Sequence, residues 1–267
     1  MTGTGMRFVA GILGLCLVLP ILVYGKKIAV GLLLAVVLLV ALDEFAGMAM
    51  PHARMRARAV LFPMGLAVHF ALLYQTPNWV LPTACLAVIV SLTVPMFTQP
   101  DAVLAGAESS RLTLGIFYAP VLLAPLAKIH AQADGVALVF LLLAVTWLGD
   151  TGAYFAGRFF GKHKLFERVS PKKTVEGAVG GLVLSVVGAS IVKIVGEPNL
   201  AWPWVVGLAV GLGIAGVAGD LAESLLKRAW GVKDSGWIMP GHGGILDRVD
   251  SLLFSAPLLW AVLQYRT

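Results

Sequence analysis

Apolar runs of about twenty residues, broken by short polar stretches, make up most of the chain, and a run of that length is what a helix needs to cross a membrane. The pattern predicts spans at roughly 7–24, 28–48, 59–75, 79–97, 112–128, 135–150, 175–195, 201–219 and 250–264, nine in all. Pro20, Pro63, Pro82 and Pro95 fall inside them. A membrane helix tolerates proline when its neighbours take up the freed backbone groups. Polar positions gather in two longer loops, about 151–174 and 220–249. The expected fold is therefore all-α: a polytopic integral membrane protein with one transmembrane domain over 1–267.

Composition strengthens this picture. The chain is 59% hydrophobic and 13% charged, with a mean hydropathy of +0.90. Soluble domains run at about 45–50% apolar and about 25% charged, and no polar stretch here is long enough to form a separate one. Cys16 and Cys85 both lie in apolar runs, which excludes a disulfide framework and a cysteine-based zinc site and predicts buried thiols. The first run has a weak basic flank (Arg7) and leads into further spans, so it reads as a retained helix rather than a cleaved signal.

Charge then sets orientation. With the N-terminus in the cytoplasm, fifteen of the 20 Lys and Arg fall on the cytoplasmic side, and only Lys26, Lys27, Lys128, Lys193 and Arg266 on the other. That asymmetry is what the positive-inside rule requires. The net charge of +6 points to anionic partners such as lipid headgroups or phosphorylated substrates. Nucleic acid is not expected, because the bases sit in short loops between spans.

The chemistry concentrates in Ser224–Asp250, SLLKRAWGVKDSGWIMPGHGGILDRVD. This stretch holds Asp234, Asp247, Asp250, Lys227, Arg228, Lys233, Arg248, His242 and a glycine-rich turn, with Glu223 just before it. Asp220, Glu223, Ser224 and Lys227 share one helical face, and so do Asp247 and Asp250 at a spacing of i, i+3. In this reading Asp150 ends the sixth helix, Asp220 ends the eighth, and Asp247 and Asp250 begin the ninth. Carboxylates converging at a membrane edge suit Mg²⁺, a hard cation that prefers oxygen ligands and substrate phosphates. The plainer account, acids complementing a helix N-terminus, covers Asp247 or Asp250 but not Asp220. Backbone N–H groups of Gly243 and Gly244 in the turn could cradle an anion. Lys172 and Lys173, just before the seventh helix with Glu176 in its first turn, are held at the membrane surface, where they serve either phosphate binding or topology. Asp43 and Glu44 either line a lipid entrance or form a simple helix-end pair, and His69 reads as a satisfied core residue.

Three segments, S-x-L-K-R at 224–228, K-D-S-G at 233–236 and P-G-H-G-G-I-L-D-R-V-D at 240–250, resemble the signature of the phosphatidate cytidylyltransferase (CDP-diglyceride synthase) family. GDTGAYFAGRFFGKHKL at 149–165 and SPKKTVEG at 170–177 look like the same family, so the resemblance covers about 149–251. Met239 departs from it, standing where the family usually has Leu, Ile or Phe. The resemblance implies transfer of CMP from CTP to phosphatidic acid with Mg²⁺, and a second metal ion as an option. It implies metal ligation by Asp220, Asp247 and Asp250, and phosphate contacts by Lys172, Lys173, Lys227, Arg228, Lys233 and Arg248. Ser224 and Ser235 would be minor ligands, and His242 would either donate to a phosphate or brace the turn. The helices of 1–134 would then be a lipid-side scaffold, and 135–267 the catalytic part. The resemblance also implies a homodimer, and a multi-pass protein of a bacterial-type inner membrane with its site facing the cytoplasm. Two rivals stand beside this reading. One is a CTP-dependent polyprenol or phytol kinase, and the other a transporter of a phosphorylated solute, whose charges would be expected nearer the bilayer midplane.

Overall fold

Each apolar run closes its own backbone hydrogen bonds as a helix, since lipid offers no partner for an open N–H or C=O. A computed structural model describes residues 14, 16–74, 77–196, 198–238 and 243–265. In it α1 (16–24) is followed by α2 (Lys27–Ala49), a short 3₁₀ turn at Pro51–Ala53, α3 (Arg54–Tyr74), α4 (Pro77–Thr98), α5 (Ala102–His130) and α6 (Gly135–Phe160). A hairpin of β1 (Lys164–Phe166) and β2 (Ser170–Thr174) leads to α7 (Val175–Gly196), α8 (Trp202–Ala229) and α9 (Leu246–Gln264). Among the described residues seven helices, α2 to α8, are long and apolar enough to cross a membrane. The chain is thus an all-α, multi-pass membrane protein with one small hairpin that the apolar pattern does not predict. The start of the first expected span, 7–13, lies outside the described residues.

Several helices run further than the apolar pattern. α5 begins ten residues before the expected 112, α6 continues ten beyond 150, and α8 continues to Ala229. Asp150 and Asp220 therefore lie within helices rather than at their ends. Hydropathy marks only where apolar residues stop, but a helix carries polar side chains as readily as apolar ones once its backbone bonds are made. Pro63, Pro82 and Pro95 lie inside helices that run on through them. Cys16 and Cys85 are exposed on their helices rather than buried.

The chain divides into two compact units. The first comprises residues 1–127 with 234–248, and the second 128–233 with 249–267. In the first, Leu38, Leu42 and Phe45 of α2, Leu61 of α3, and Leu112 and Ile116 of α5 form a fully buried core. Gly115 permits this approach, since a Cβ there would lie 2.7 Å from Phe45 and 2.8 Å from Leu61. Arg56 grips Glu108 through two N–H···O bonds of 2.9 and 3.0 Å, tying α3 to α5. His69 is fully buried as expected, but only half satisfied. Its Nδ1 lies 3.2 Å from the Pro120 carbonyl, and among the described residues its Nε2 has no partner.

In the second unit α7 has two distinct faces. Val179, Val183, Val187 and Ile191, at four-residue spacing, are exposed as lipid-facing residues should be, while Gly177, Gly181, Ser185 and Gly188 are buried. The small face packs on α6, where Ser185 Oγ donates to the Val145 carbonyl at 2.8 Å. Helices in lipid associate through such close backbone approach and interhelical hydrogen bonds, because no hydrophobic force separates lipid tails from leucine. α8 and α9 meet the same way: Gly216 lies against Ser251 and Ser255, Gly219 against the Asp250 carbonyl, and Ser255 Oγ donates to the Leu212 carbonyl at 2.9 Å.

Candidate active site

Within the second unit a cavity of about 400 Å³ is walled by α6, the hairpin, α7 and α8. Its polar lining includes Asp150 and Arg158 from α6, Lys172 and Lys173 from β2, and Asp220 from α8. The hairpin is held rigidly. Thr174 caps α7 by accepting a hydrogen bond from Gly177 N–H at 3.1 Å, which satisfies one of the open donors of a helix N-terminus. Glu176 accepts hydrogen bonds from the backbone N–H groups of Lys162 and His163 and meets the His163 ring at 2.6 Å. Fixed at both ends, β2 places Lys173 Nζ 2.6 Å from Asp220 Oδ2. Two residues picked out from separate stretches of sequence are thus an ion pair at the cavity.

The expected polar face of α8 is present. Ser224 Oγ donates to Asp220 Oδ1 at 3.3 Å, and Lys227 Nζ donates to Glu223 Oε2 at 2.6 Å. Glu223 is completely buried and Lys227 nearly so. A buried pair of this kind is costly to break, about 3–5 kcal/mol when one partner is removed. Asp250 is near enough to feel the negative charges of Asp220 and Asp150 and the positive charge of Lys227. Among the described residues no group of three or more His, Cys, Asp or Glu is already gathered as a cation site. Mg²⁺ usually takes only one or two carboxylates, plus water and substrate phosphates. The hard-oxygen set of Asp220, Asp250 and Ser224, with the charge of Asp150 close by, fits that demand.

The glycine-rich signature belongs to the first unit over 234–248, and there Asp247 acts as a brace. Its Oδ2 accepts hydrogen bonds from Ser235 N–H at 2.9 Å, Ser235 Oγ at 2.8 Å and Gly244 N–H at 2.8 Å. Glu44, near the end of α2, accepts from Ile245 N–H and Leu246 N–H at 2.8 Å each, and its Oε2 lies 3.1 Å from Ser235 Oγ. One glutamate in an apolar helix thereby caps the start of α9 and holds the turn. A Cβ on Gly236 or Gly244 would run into the Glu44 carboxylate, and Gly243 takes a φ of 77°; these needs explain the glycines. This role of Glu44 goes beyond the lipid entrance or helix-end pair expected of it. The available signal was an ionisable residue inside a span, which is expensive there and normally has a task.

The remaining candidates fall in both units. Arg228 Nη1 donates to the Val232 carbonyl at 3.0 Å and closes the end of α8, so it has a structural partner. Lys233 is exposed in the second unit, and Arg248 is exposed in the first. Asp220 and Asp250 belong to the second unit and Asp247 to the first. His242 lies outside the described residues.

Residues 5–266 match the family described as the Cytidylyltransferase family. The chain belongs to the cytidylyltransferase family. Among its relatives, a phosphatidate cytidylyltransferase of Staphylococcus saprophyticus is 48% identical over 130 residues, which are 49% of this chain and 50% of the relative. The phosphatidate cytidylyltransferase of Bacillus subtilis is 46% identical over 129 residues, 48% of each chain. One from Staphylococcus haemolyticus is 48% identical over 128 residues, 48% of this chain and 49% of the relative. This cytidylyltransferase-family chain spans about half the length of the curated relatives it matches. The family resemblance carried by 149–251 is borne out.

Proposed function

We propose that the chain transfers CMP from CTP to phosphatidate, yielding CDP-diacylglycerol and pyrophosphate, at the cytoplasmic face of a bacterial-type inner membrane. The observation that carries this reading is the cavity lined by Lys172, Lys173, Asp150 and Asp220. A phosphate oxygen of the lipid attacks the α-phosphorus of CTP, the bond to the β-phosphate breaks, and pyrophosphate leaves. The lipid phosphate is already anionic, so no strong general base is needed. The obstacle is repulsion between an anion and a polyanion, and fixed cations offset it best where water is excluded. Lys172 and Lys173 serve this purpose, with Lys173 Nζ kept in place by Asp220 at 2.6 Å.

Asp220 and Asp250, with Ser224 beside them, are the residues that would hold Mg²⁺. When bound, Mg²⁺ would neutralise phosphate charge and stabilise the leaving pyrophosphate. Lys227 answers the charge of Asp250. Asp247 and Glu44 hold Ser235 and Gly244 against the start of α9. The relatives, being phosphatidate cytidylyltransferases by name, support phosphatidate as acceptor. The homodimer rests on the family resemblance alone.

The test supplies purified protein with phosphatidate, Mg²⁺ and CTP labelled at either the α or the γ phosphorus. Label should enter the lipid from α-labelled CTP alone, with pyrophosphate released. Transfer from γ-labelled CTP would replace this reading with a lipid kinase.

A further inference from the structure

A second cleft, of about 680 Å³, lies wholly in the first unit between α2 and α3. Its volume is within the roughly 300–1,000 Å³ typical of small-molecule sites. Leu39 and Val40 of α2, Phe62 and Pro63 of α3, and Ile238 of the signature segment form its apolar walls, and Asp43 with Arg58 its polar end. The walls continue the exposed apolar stripe of α2, in which Ile28, Leu32 and Val36 precede Val40 at four-residue spacing. Such a trough, greasy along its length and cationic at one end, has the shape of an anionic lipid.

The polar end is built and carries a net positive charge. Arg54 and Arg58, one turn apart on α3, share the single carboxylate of Asp43. Arg54 Nη2 donates to Asp43 Oδ2 at 2.7 Å, and Arg58 Nε donates to Asp43 Oδ1. Gly47 leaves room for the Arg54 guanidinium on α2, where a Cβ would stand 3.3 Å from its Cζ. Two guanidiniums against one carboxylate leave one positive charge unbalanced. Among the described residues, Arg54 Nη1 and Arg58 Nη2 make no hydrogen bond. Tying α2 to α3 would need one arginine only. A planar fork with open donors matches phosphate oxygens, and a phosphomonoester, with charge near −1.5 to −2 at neutral pH, matches the surplus better than a phosphodiester.

We propose that this cleft is a holding site that phosphatidate occupies before it reacts, its phosphomonoester on Arg58 beside Arg54 and an acyl chain along Leu39, Val40 and Phe62. The occupant named here rests on the function proposed above. Ile238 gives the cleft a direct tie to the signature segment, so an occupied cleft bears on the turn that Glu44 and Asp247 hold.

The test is native mass spectrometry of the full chain in detergent, with added phosphatidate or, for comparison, phosphatidylglycerol. Phosphatidate should be retained at least tenfold better than phosphatidylglycerol. Arg58→Ala should lose that preference, and so should Val40→Trp, which fills the trough and leaves both ion pairs intact. In turnover assays the same variants should raise KM for phosphatidate about tenfold and leave KM for CTP unchanged. Equal retention of the two lipids, or retention and KM unmoved in both variants, overturns the proposal while CMP transfer stands. Arg58-dependent retention of phosphatidate by a chain that transfers no CMP upholds the cleft and rejects the function.

Discussion

Asp220 and Asp247 show how identical side chains acquire different work from their neighbours. Asp220 faces a cavity, paired with Lys173 at 2.6 Å and beside the charge of Asp250. Asp247 collects hydrogen bonds from Ser235 and Gly244. We expect Asp220→Asn and Asp250→Asn to lower kcat more than a hundredfold, about 2.7 kcal/mol or more of transition-state stabilisation, with unfolding temperatures near that of the parent. Glu44→Ala should do the reverse and act first on stability. It strands the Ile245 and Leu246 N–H groups, and a buried donor left without a partner costs about 1–3 kcal/mol. Thermal unfolding and Mg²⁺-dependent turnover measured on the same purified variants separate the two classes. Stable Asp220→Asn protein with near-normal turnover and an unshifted Mg²⁺ optimum would remove the metal assignment.

At the scale of elements, the cavity depends on how closely α6 and α7 approach, and glycine and serine set that distance. Gly181 has the Gly149 carbonyl where its Cβ would come within 3.0 Å, and Ser185 is hydrogen-bonded to the Val145 carbonyl. Gly181→Leu should therefore force the helices apart. Overpacking of this kind costs about 1–3 kcal/mol, and it should lower the unfolding temperature in detergent and reduce turnover together. Val183→Leu, on the exposed face of the same helix, should change neither. An unaltered Gly181→Leu protein would mean that the small-residue face does not position the site. The hairpin is the other positioning element, since Thr174 and Glu176 hold the strand that carries Lys172 and Lys173.

For the whole molecule the distribution of bases is the guide. Fifteen of 20 Lys and Arg fall on one side of the nine expected spans, and anionic lipid and the membrane potential together favour that side as cytoplasmic. A topology reporter fused after Arg168 or Lys233 should therefore read cytoplasmic, and one after Thr267 external. A cytoplasmic C-terminus would mean a miscounted helix and would count against a common face for the two polar loops.

Apolar run length and base asymmetry are local properties, and they sufficed for a multi-pass helical protein and for approximate span positions. Residue spacing on one helix sufficed to group Asp220, Glu223, Ser224 and Lys227, because 3.6 residues per turn is a property of the backbone itself. The extension of α6 past Asp150 and of α8 past Asp220 was not legible, because hydropathy marks where lipid ends and not where hydrogen bonding ends. Nor was the partner of any charge distant in sequence. That Lys173 meets Asp220, 47 positions away, and that Glu44 holds Ile245 and Leu246, about 200 positions away, follows from how helices pack. Packing is a sum of many small contacts, and no local pattern encodes it.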